Sequence, residues 1–355
     1  MLNADAEALC RTLFPLGKVF GGFFNIGSVR GEAGDSMKVR IGGDRAGTWA
    51  DYSCDPSDPE GKGDMLRLIQ LVKPWPASGD DLKDIARAIR WAKGWLNLDT
   101  MQPTDMQRLR DRARLAAERA ERDAAANAEK KRLSAWHLWG HSGPLKGSPF
   151  ERYLADARGI DFAALGKYPS ALRFRGDVWC TEAQQKLPAG VSLFVGVDGQ
   201  AKGVHITYLA FERGGWGKAR LENAKIIRSP LYWGAHIPIW KGACGAMPLR
   251  DVPEGTVPRV SEGIEDALTI AMVDPSRRVV AAGTLGNVGA MRFPDRVRAI
   301  ELVGQHDKPG SKADESMEKQ IAHQQAAGRA VSCLWPDPAF KDFNDQLRGA
   351  RMVTA

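Results

Sequence analysis

The final hundred residues alternate short β-branched runs with longer amphipathic stretches, and this alternation constrains the fold more than any other feature of the chain. "VPRVSEG", "RRVVAAGT", "RAIELVGQHD" and "RAVSCLWP" read as strands. "IEDALTIAMVD" and "ADESMEKQIAHQQAAG" lie between them as helices, the second ending at Gly328, and "KDFNDQLRGA" follows as a short helix. Strands that are apolar throughout need cover on both faces, so residues 256–355 are expected to form a parallel α/β sheet flanked by helices. In such a sheet the chemistry collects at the carboxyl ends of the strands.

The residues that follow each strand make a short inventory. Glu262 and Gly263 come after the first, with Asp266 one helical turn on. Gln305, His306 and Asp307 come after the third, and Lys341, Asp342 and Asp345 after the last. Oxygen donors in this number suit Mg²⁺ or Mn²⁺, which bind a few carboxylates, keep waters and engage phosphates. Each residue alone has a plainer reading. Glu262 is an acid at a helix N-terminus, Asp307 caps a turn before Pro309, and Asp342 is the N-cap of the last helix. Three strand ends carrying acids in one sheet are harder to assign to capping alone. His306, between two site positions, alternates away from them and reads as structural.

At 355 residues the chain has room for two or three domains. In residues 1–100, "SMKVRIGGDRAGTWADYS" reads as two short strands around a Gly-containing turn. "GKGDMLRLIQLV" then gives a helix capped by Asp64, and "WPASGDDLKDIARAIRWAKGWL" a second helix. Residues 103–140 are rich in Ala, Arg and Glu and read as one long charged linker helix, either a spacer or a basic arm lying on nucleic acid. Residues 141–255 read as an α+β unit. Ser148 and Pro149 open a helix, "VSLFVGVDGQAKGVHITYLAFE" is a hairpin around Asp198-Gly199, and "KARLENAKIIRSPLYWGAHIPIW" is basic and aromatic.

Five scattered cysteines without a CxxC pair indicate neither a zinc ribbon nor a disulfide framework. A formal charge of +7 favours polyanionic partners such as nucleic acid, and some of the eleven tryptophans sit beside basic residues where they could stack on bases. No run approaches the roughly 20 apolar residues of a membrane span, and "MLNADAEALC" lacks the pattern of a secretory signal, so no membrane partner and a cytoplasmic location are expected.

Taken together, "VSEGIEDALTIA", "ELVGQHDKPG" and "KDFNDQL" resemble a Toprim domain of the primase kind, which carries Glu-Gly after its first strand, Asp-x-Asp after its third and a Lys-Asp segment near its end. The spacing from Glu262 to Asp266 is similar to the Glu-Gly-x-x-Asp of DnaG-type primases. Upstream, "GSPFERYLADARGI", "ALRFRGDVW", the hairpin and "KIIRSPLYW" resemble the polymerase-side subdomain of primases from phages, satellite phages and plasmids. "GTWADYSCDPSDPEGKGDMLRLI" is similar to their N-terminal zinc module. The resemblance spans about residues 25–350.

It implies a multidomain α/β and α+β protein: a degenerate zinc-module-like domain, a linker helix, a primase-like α+β subdomain and a C-terminal Toprim sheet. The implied activity is metal-dependent nucleotidyl transfer, making primers on single-stranded DNA from NTPs for a mobile element. A Toprim nuclease and a non-catalytic replication adaptor are the competing readings. Glu262 and Asp307 are the implied catalytic residues. Glu262, Asp266, Gln305, Asp307 and Asp342 are the implied ligands of Mg²⁺ or Mn²⁺. Lys225, Arg228, Lys308 and Lys341 are placed to meet phosphates, and Trp233 or Tyr232 to stack on a base. The chain ends soon after the Toprim segment, so a replicative helicase is expected in trans.

Two departures from the family pattern stand out. Cys54 has no ligand set around it, and no histidine precedes His137, so no structural zinc is expected. Gln305 stands at the first position of the expected Asp-x-Asp. It offers a carbonyl oxygen without charge, which lowers the expected metal affinity while leaving enough acids for one ion.

Overall fold

In a computed structural model, residues 2–54, 61–73, 81–98, 103–307 and 312–352 are described. They form two compact units, residues 1–119 and 120–355.

The first unit begins with α1 (Ala6–Leu13), then an antiparallel meander of β1 (Lys18–Phe20), β2 (Phe23–Ile26), β3 (Met37–Arg40), β4 (Trp49–Asp51) and β5 (Lys62–Gly63). β3 buries alternate residues, Met37 and Val39, as a one-sided sheet requires. α2 (Met65–Val72) starts at Asp64, whose side chain accepts the Arg67 N–H at 2.8 Å. α3 (Asp81–Trp95) follows. Leu9, Phe24, Ile26, Trp49, Leu68 and Ile69 form the shared core, and the Trp49 indole donates to the Asp64 carbonyl at 2.9 Å.

α4 (Pro103–Gly140) is one helix of 38 residues. In the second unit it is followed by β6 (Gly143–Pro144), α5 (Pro149–Arg152) capped by Ser148, and α6 (Phe162–Leu165). Then come β7 (Leu172–Cys180), β8 (Gln185–Val195), β9 (Ala201–Glu212), β10 (Gly215–Lys218) and β11 (Lys225–Arg228). These strands form an antiparallel sheet in the order β10-β9-β8-β7-β6, with β11 also on β9. The β8–β9 turn places Gly199 at φ +78°, a left-handed conformation that glycine adopts without steric cost.

The second sheet of this unit contains β12 (Ile237–Trp240), β13 (Arg259–Ser261), β14 (Val279–Ala281), β15 (Ala299–Val303) and β16 (Ala330–Leu334). Its helices are α7 (Ile264–Val273), α8 (Leu285–Ala290), α9 (Lys312–Ala326) and α10 (Phe343–Arg348). The order is β12-β14-β13-β15-β16, parallel except for β12. Both faces are covered. Val279, Ala281 and Val303 join the core that continues through α7 into the antiparallel sheet. Val260, Val280, Ile300 and Leu302 pack with Val288 of α8 and Met317 of α9.

The sequence places "AHIPIW" with the preceding unit, whereas the structure pairs it, antiparallel, with β14 at the edge of the parallel sheet. An edge strand tolerates Pro238, which has no N–H to donate. The short helix α8 is likewise absent from the sequence reading. Buried Asn287 holds it, donating to the Ala235 and Ala282 carbonyls at 2.9 and 2.7 Å and accepting the Gly234 N–H at 2.7 Å.

Chain direction fixes where a ligand can sit. From β13 the chain passes through α7 to β14 on one side; from β15 it passes through α9 to β16 on the other. The crevice between the carboxyl ends of β13 and β15 is the topological switch point, the usual ligand position in open α/β sheets.

Candidate active site

Glu262 leaves the end of β13, and Gln305 and Asp307 leave the end of adjacent β15, so the switch point is lined by two carboxylates and an amide. The Gln305 Nε2 donates to Glu262 Oε2 and to Asp307 Oδ2, each at 3.2 Å. Burial raises the Glu262 carboxyl above its ordinary range, and the charge of Asp307 adds to the rise; a bond from the Leu285 backbone N–H works against it. Lys341 Nζ lies 4.0 Å from Asp307 Oδ1. His306 faces away: its ring bonds the Pro336 carbonyl at 3.1 Å and stacks on Trp335, while its N–H donates to the Lys341 carbonyl at 2.7 Å. His306 thus ties the β15 loop to the segment that carries Lys341.

The remaining acids form a second group. Asp342 caps α10, accepting the Asp345 N–H at 2.7 Å. Asp266, on the first turn of α7, accepts the Asn344 N–H at 2.8 Å. Burial, then the charge of Asp342, pushes the Asp266 carboxyl up to about 7.

That shift predicts a stability effect. Asp266 titrates near 3.8 when unfolded and near 7 when folded. The unfolded state therefore loses its proton first, and stability falls as pH rises from about 4 to 7. Asp266→Asn retains an acceptor for Asn344 and cannot ionise. In EDTA at pH 8 it is expected to melt several degrees above wild type, a gain on the order of 2–4 kcal/mol. At pH 4 the two melting curves should coincide.

Two of the basic candidates have protein partners. Lys225 is engaged by Glu265, its ammonium lying 2.9 and 3.0 Å from the two carboxylate oxygens. Arg228 donates to the Trp179 carbonyl at 2.8 Å. From β11, which pairs with β9, Lys225 reaches Glu265 of α7 and Arg228 reaches the Trp179 carbonyl of β7. Trp233 is exposed and leans on Gly286, the residue after Leu285, which places its ring at the rim of the Glu262 crevice; Tyr232 packs beneath it against Phe194. Lys308 lies outside the described residues.

The sequence reading missed a buried cluster beside the acids. Tyr153 Oη donates to Glu265 Oε1 at 2.9 Å and accepts from Arg158 Nε at 3.0 Å. Burial alone would raise the Glu265 carboxyl, but the Lys225 ammonium, its hydrogen bond and Arg158 outweigh it and hold the group well below the ordinary range. Lys218 stands nearby, its ammonium lowered by burial and by Lys225 and Arg158. The only signal in the sequence was the second glutamate inside "EGIED".

The residues present fit a hard cation at the switch point. The Gln305 amide nitrogen links Glu262 and Asp307, and with that amide rotated its carbonyl oxygen and the two carboxylates would be the groups to hold a cation. Among the described residues no group of three or more His, Cys, Asp or Glu side chains converges to hold an ion. The fit is therefore to one ion held by one or two carboxylates and completed by water and phosphate, the usual mode for Mg²⁺.

Residues 259–350 match the family model of the Toprim domain, and residues 129–237 match that of a domain of unknown function. The C-terminal sheet is accordingly a Toprim domain, preceded by an α+β region. No curated protein sequence matches the chain. Among solved structures, the chain is similar to the zinc-binding and RNA polymerase domains of the Aquifex aeolicus primase, at 12% identity over 98% of this chain and 82% of that one, with a TM-score of 0.41. It is similar to the primase fragment of the bacteriophage T7 primase-helicase at 14% identity, over 59% and 77% of the two chains, with a TM-score of 0.34. For a DNA primase domain from Pseudomonas aeruginosa the values are 14%, 64%, 74% and 0.36. Among the described residues no helix is long and apolar enough to cross a membrane.

Proposed function

We propose that the protein is a Toprim-type DNA primase of the mobile-element kind, joining NTPs into short primers on a single-stranded DNA template, with a replicative helicase as a partner. The observation that carries this reading is the meeting of Glu262 and Asp307 at the switch point of a Toprim sheet. The motifs that place them there resemble those of primases, and the chain joins that sheet to an antiparallel sheet through a continuous core.

In this reading the 3′-hydroxyl oxygen of the growing primer forms a bond to the α-phosphorus, and the bond to the leaving pyrophosphate breaks. Glu262 and Asp307 would hold Mg²⁺ or Mn²⁺, which when bound neutralises triphosphate charge in the transition state. Glu262, whose carboxyl already favours its proton more than usual, suits the acceptance of the hydroxyl proton. Lys341 opposes phosphate charge at the crevice mouth, and Trp233 offers a ring at its rim.

One observation favours a competing reading. Gln305 already satisfies both carboxylates, an arrangement that also suits a protein binding nucleic acid without turning it over. Incubation with Mn²⁺, NTPs and single-stranded DNA separates the cases: labelled primers support the primase, shortened template the nuclease, and unchanged but shifted template the adaptor.

Gln305→Asp supplies a finer test. It replaces a neutral bridge with a third charge, so the metal concentration giving half-maximal synthesis is expected to fall by about tenfold, corresponding to roughly 1.4 kcal/mol of added cation binding. An unchanged metal requirement would remove Gln305 from the ligand position.

A further inference from the structure

A cavity of about 400 Å³ runs along β12 and the tip of the β8–β9 hairpin. It shares no lining residue with the acidic crevice. Lys167, Lys241, Arg250 and Arg278 line it, together with Trp240 and His236, and among the described residues no aspartate or glutamate does. The volume is that of a site for a small organic ligand.

Arg278 decides what kind of ligand. It is 4% exposed, and among the described residues no carboxylate lies within ion-pair distance of its guanidinium. Nη2 donates to the Met247 carbonyl, while Nε has no hydrogen-bond partner among the described residues. A buried guanidinium without an anion is costly, and a bound anion removes that cost. Lys241 adds an exposed ammonium that donates to the Ala246 carbonyl at 2.9 Å.

The other two groups point to more than a bare anion. Trp240 is half-buried, and its indole is fixed by a 2.7 Å bond to the Pro275 carbonyl, giving a rigid apolar face. His236 is 3% exposed, and its Nδ1 has no hydrogen-bond partner among the described residues. Burial, then the charge of Arg278, pushes its imidazole down to about 4. It therefore stands neutral and offers a hydrogen bond without charge.

We propose that this cavity binds a phosphorylated nucleoside, with its phosphate on Arg278 and Lys241, its base against Trp240 and a polar atom on His236. The shared chemistry covers a free nucleotide and one residue of a strand. The site needs no divalent metal and does not depend on the activity assigned to the Toprim crevice.

Calorimetric titration of the full chain in EDTA tests it, with AMP, GMP, inorganic phosphate and a short single-stranded oligonucleotide as the titrants. Saturable binding of AMP or GMP is expected, weakened about tenfold or more by Arg278→Met and by Lys241→Ala. Arg278→Met removes an unpaired buried charge, so without ligand it should melt no lower than wild type. Lys241→Ala alters only an exposed side chain and keeps the test decisive if the first variant fails to fold. Binding by the oligonucleotide alone, with the same dependence on Arg278 and Lys241, would support the site and identify a strand as its source. The proposal fails if no nucleotide or oligonucleotide saturates the protein, if both variants bind as wild type does, or if inorganic phosphate binds as tightly as AMP.

Discussion

Asp307→Asn and Glu262→Gln are each expected to lower primer synthesis by about 10³-fold while leaving the melting temperature near that of wild type. The two carboxylates sit on adjacent parallel strands and share one amide donor, so each is half of a single anionic centre. On the proposed assignment, removing one charge weakens cation binding and, at Glu262, also removes the proton acceptor. Folding should change little, because Gln at 262 and Asn at 307 still accept hydrogen bonds from Gln305. The two losses should differ in kind. Raising Mn²⁺ should recover part of the Asp307→Asn activity, where charge is missing, and less of the Glu262→Gln activity, where a base is missing too. Full activity in either variant, measured with labelled NTPs on single-stranded DNA, would refute this assignment.

The second large effect is on stability. Lys225→Met leaves Glu265 buried without its ammonium, and a loss of about 3–5 kcal/mol is expected. Tyr153 and Arg158 remain, but Tyr153 Oη meets one carboxylate oxygen only. The pH dependence should reverse. In wild type the folded carboxyl titrates below its unfolded value, so its contribution is present above about pH 4.5 and lost as pH falls through the folded value. Without Lys225, burial is less opposed and the folded value rises, so the variant should gain stability as pH falls toward 5. The double variant Lys225→Met, Glu265→Gln should recover most of the loss. Denaturant unfolding of wild type, Lys225→Met, Glu265→Gln and the double variant at pH 5 and pH 8 measures both effects, and simple additivity of the single changes would show that the pair does not act as a unit.

The parallel sheet was legible because its signals are local. Continuous apolar strands, Gly328 after α9 and acids at strand ends each occupy a few adjacent residues. Asp64, Ser148 and Asp342 announced helix starts in the same way, and all three side chains cap. What was not legible depends on residues far apart in the chain. Lys225 reads as a free cation until β11 brings it against Glu265, 40 positions away. Tyr153 lies 112 positions from the same acid and resembles any core aromatic. Gln305 was legible as a missing charge; its role as a bridge between two carboxylates was not, because hydrogen-bond direction belongs to the folded crevice.

The strand Ile237–Trp240 has a consequence for how the chain can be divided. Residues 234–240 precede the Toprim match at 259, yet they cover the open edge of β14 and supply the Gly234 and Ala235 partners of Asn287. Cutting the chain at the family boundary would expose a row of unpaired amides on an apolar strand and take the Gly234 and Ala235 partners from a fully buried side chain, both of which favour self-association. The smallest excisable piece with an intact sheet therefore begins before Gly234, and the seam between the two kinds of sheet runs through a strand rather than through a linker.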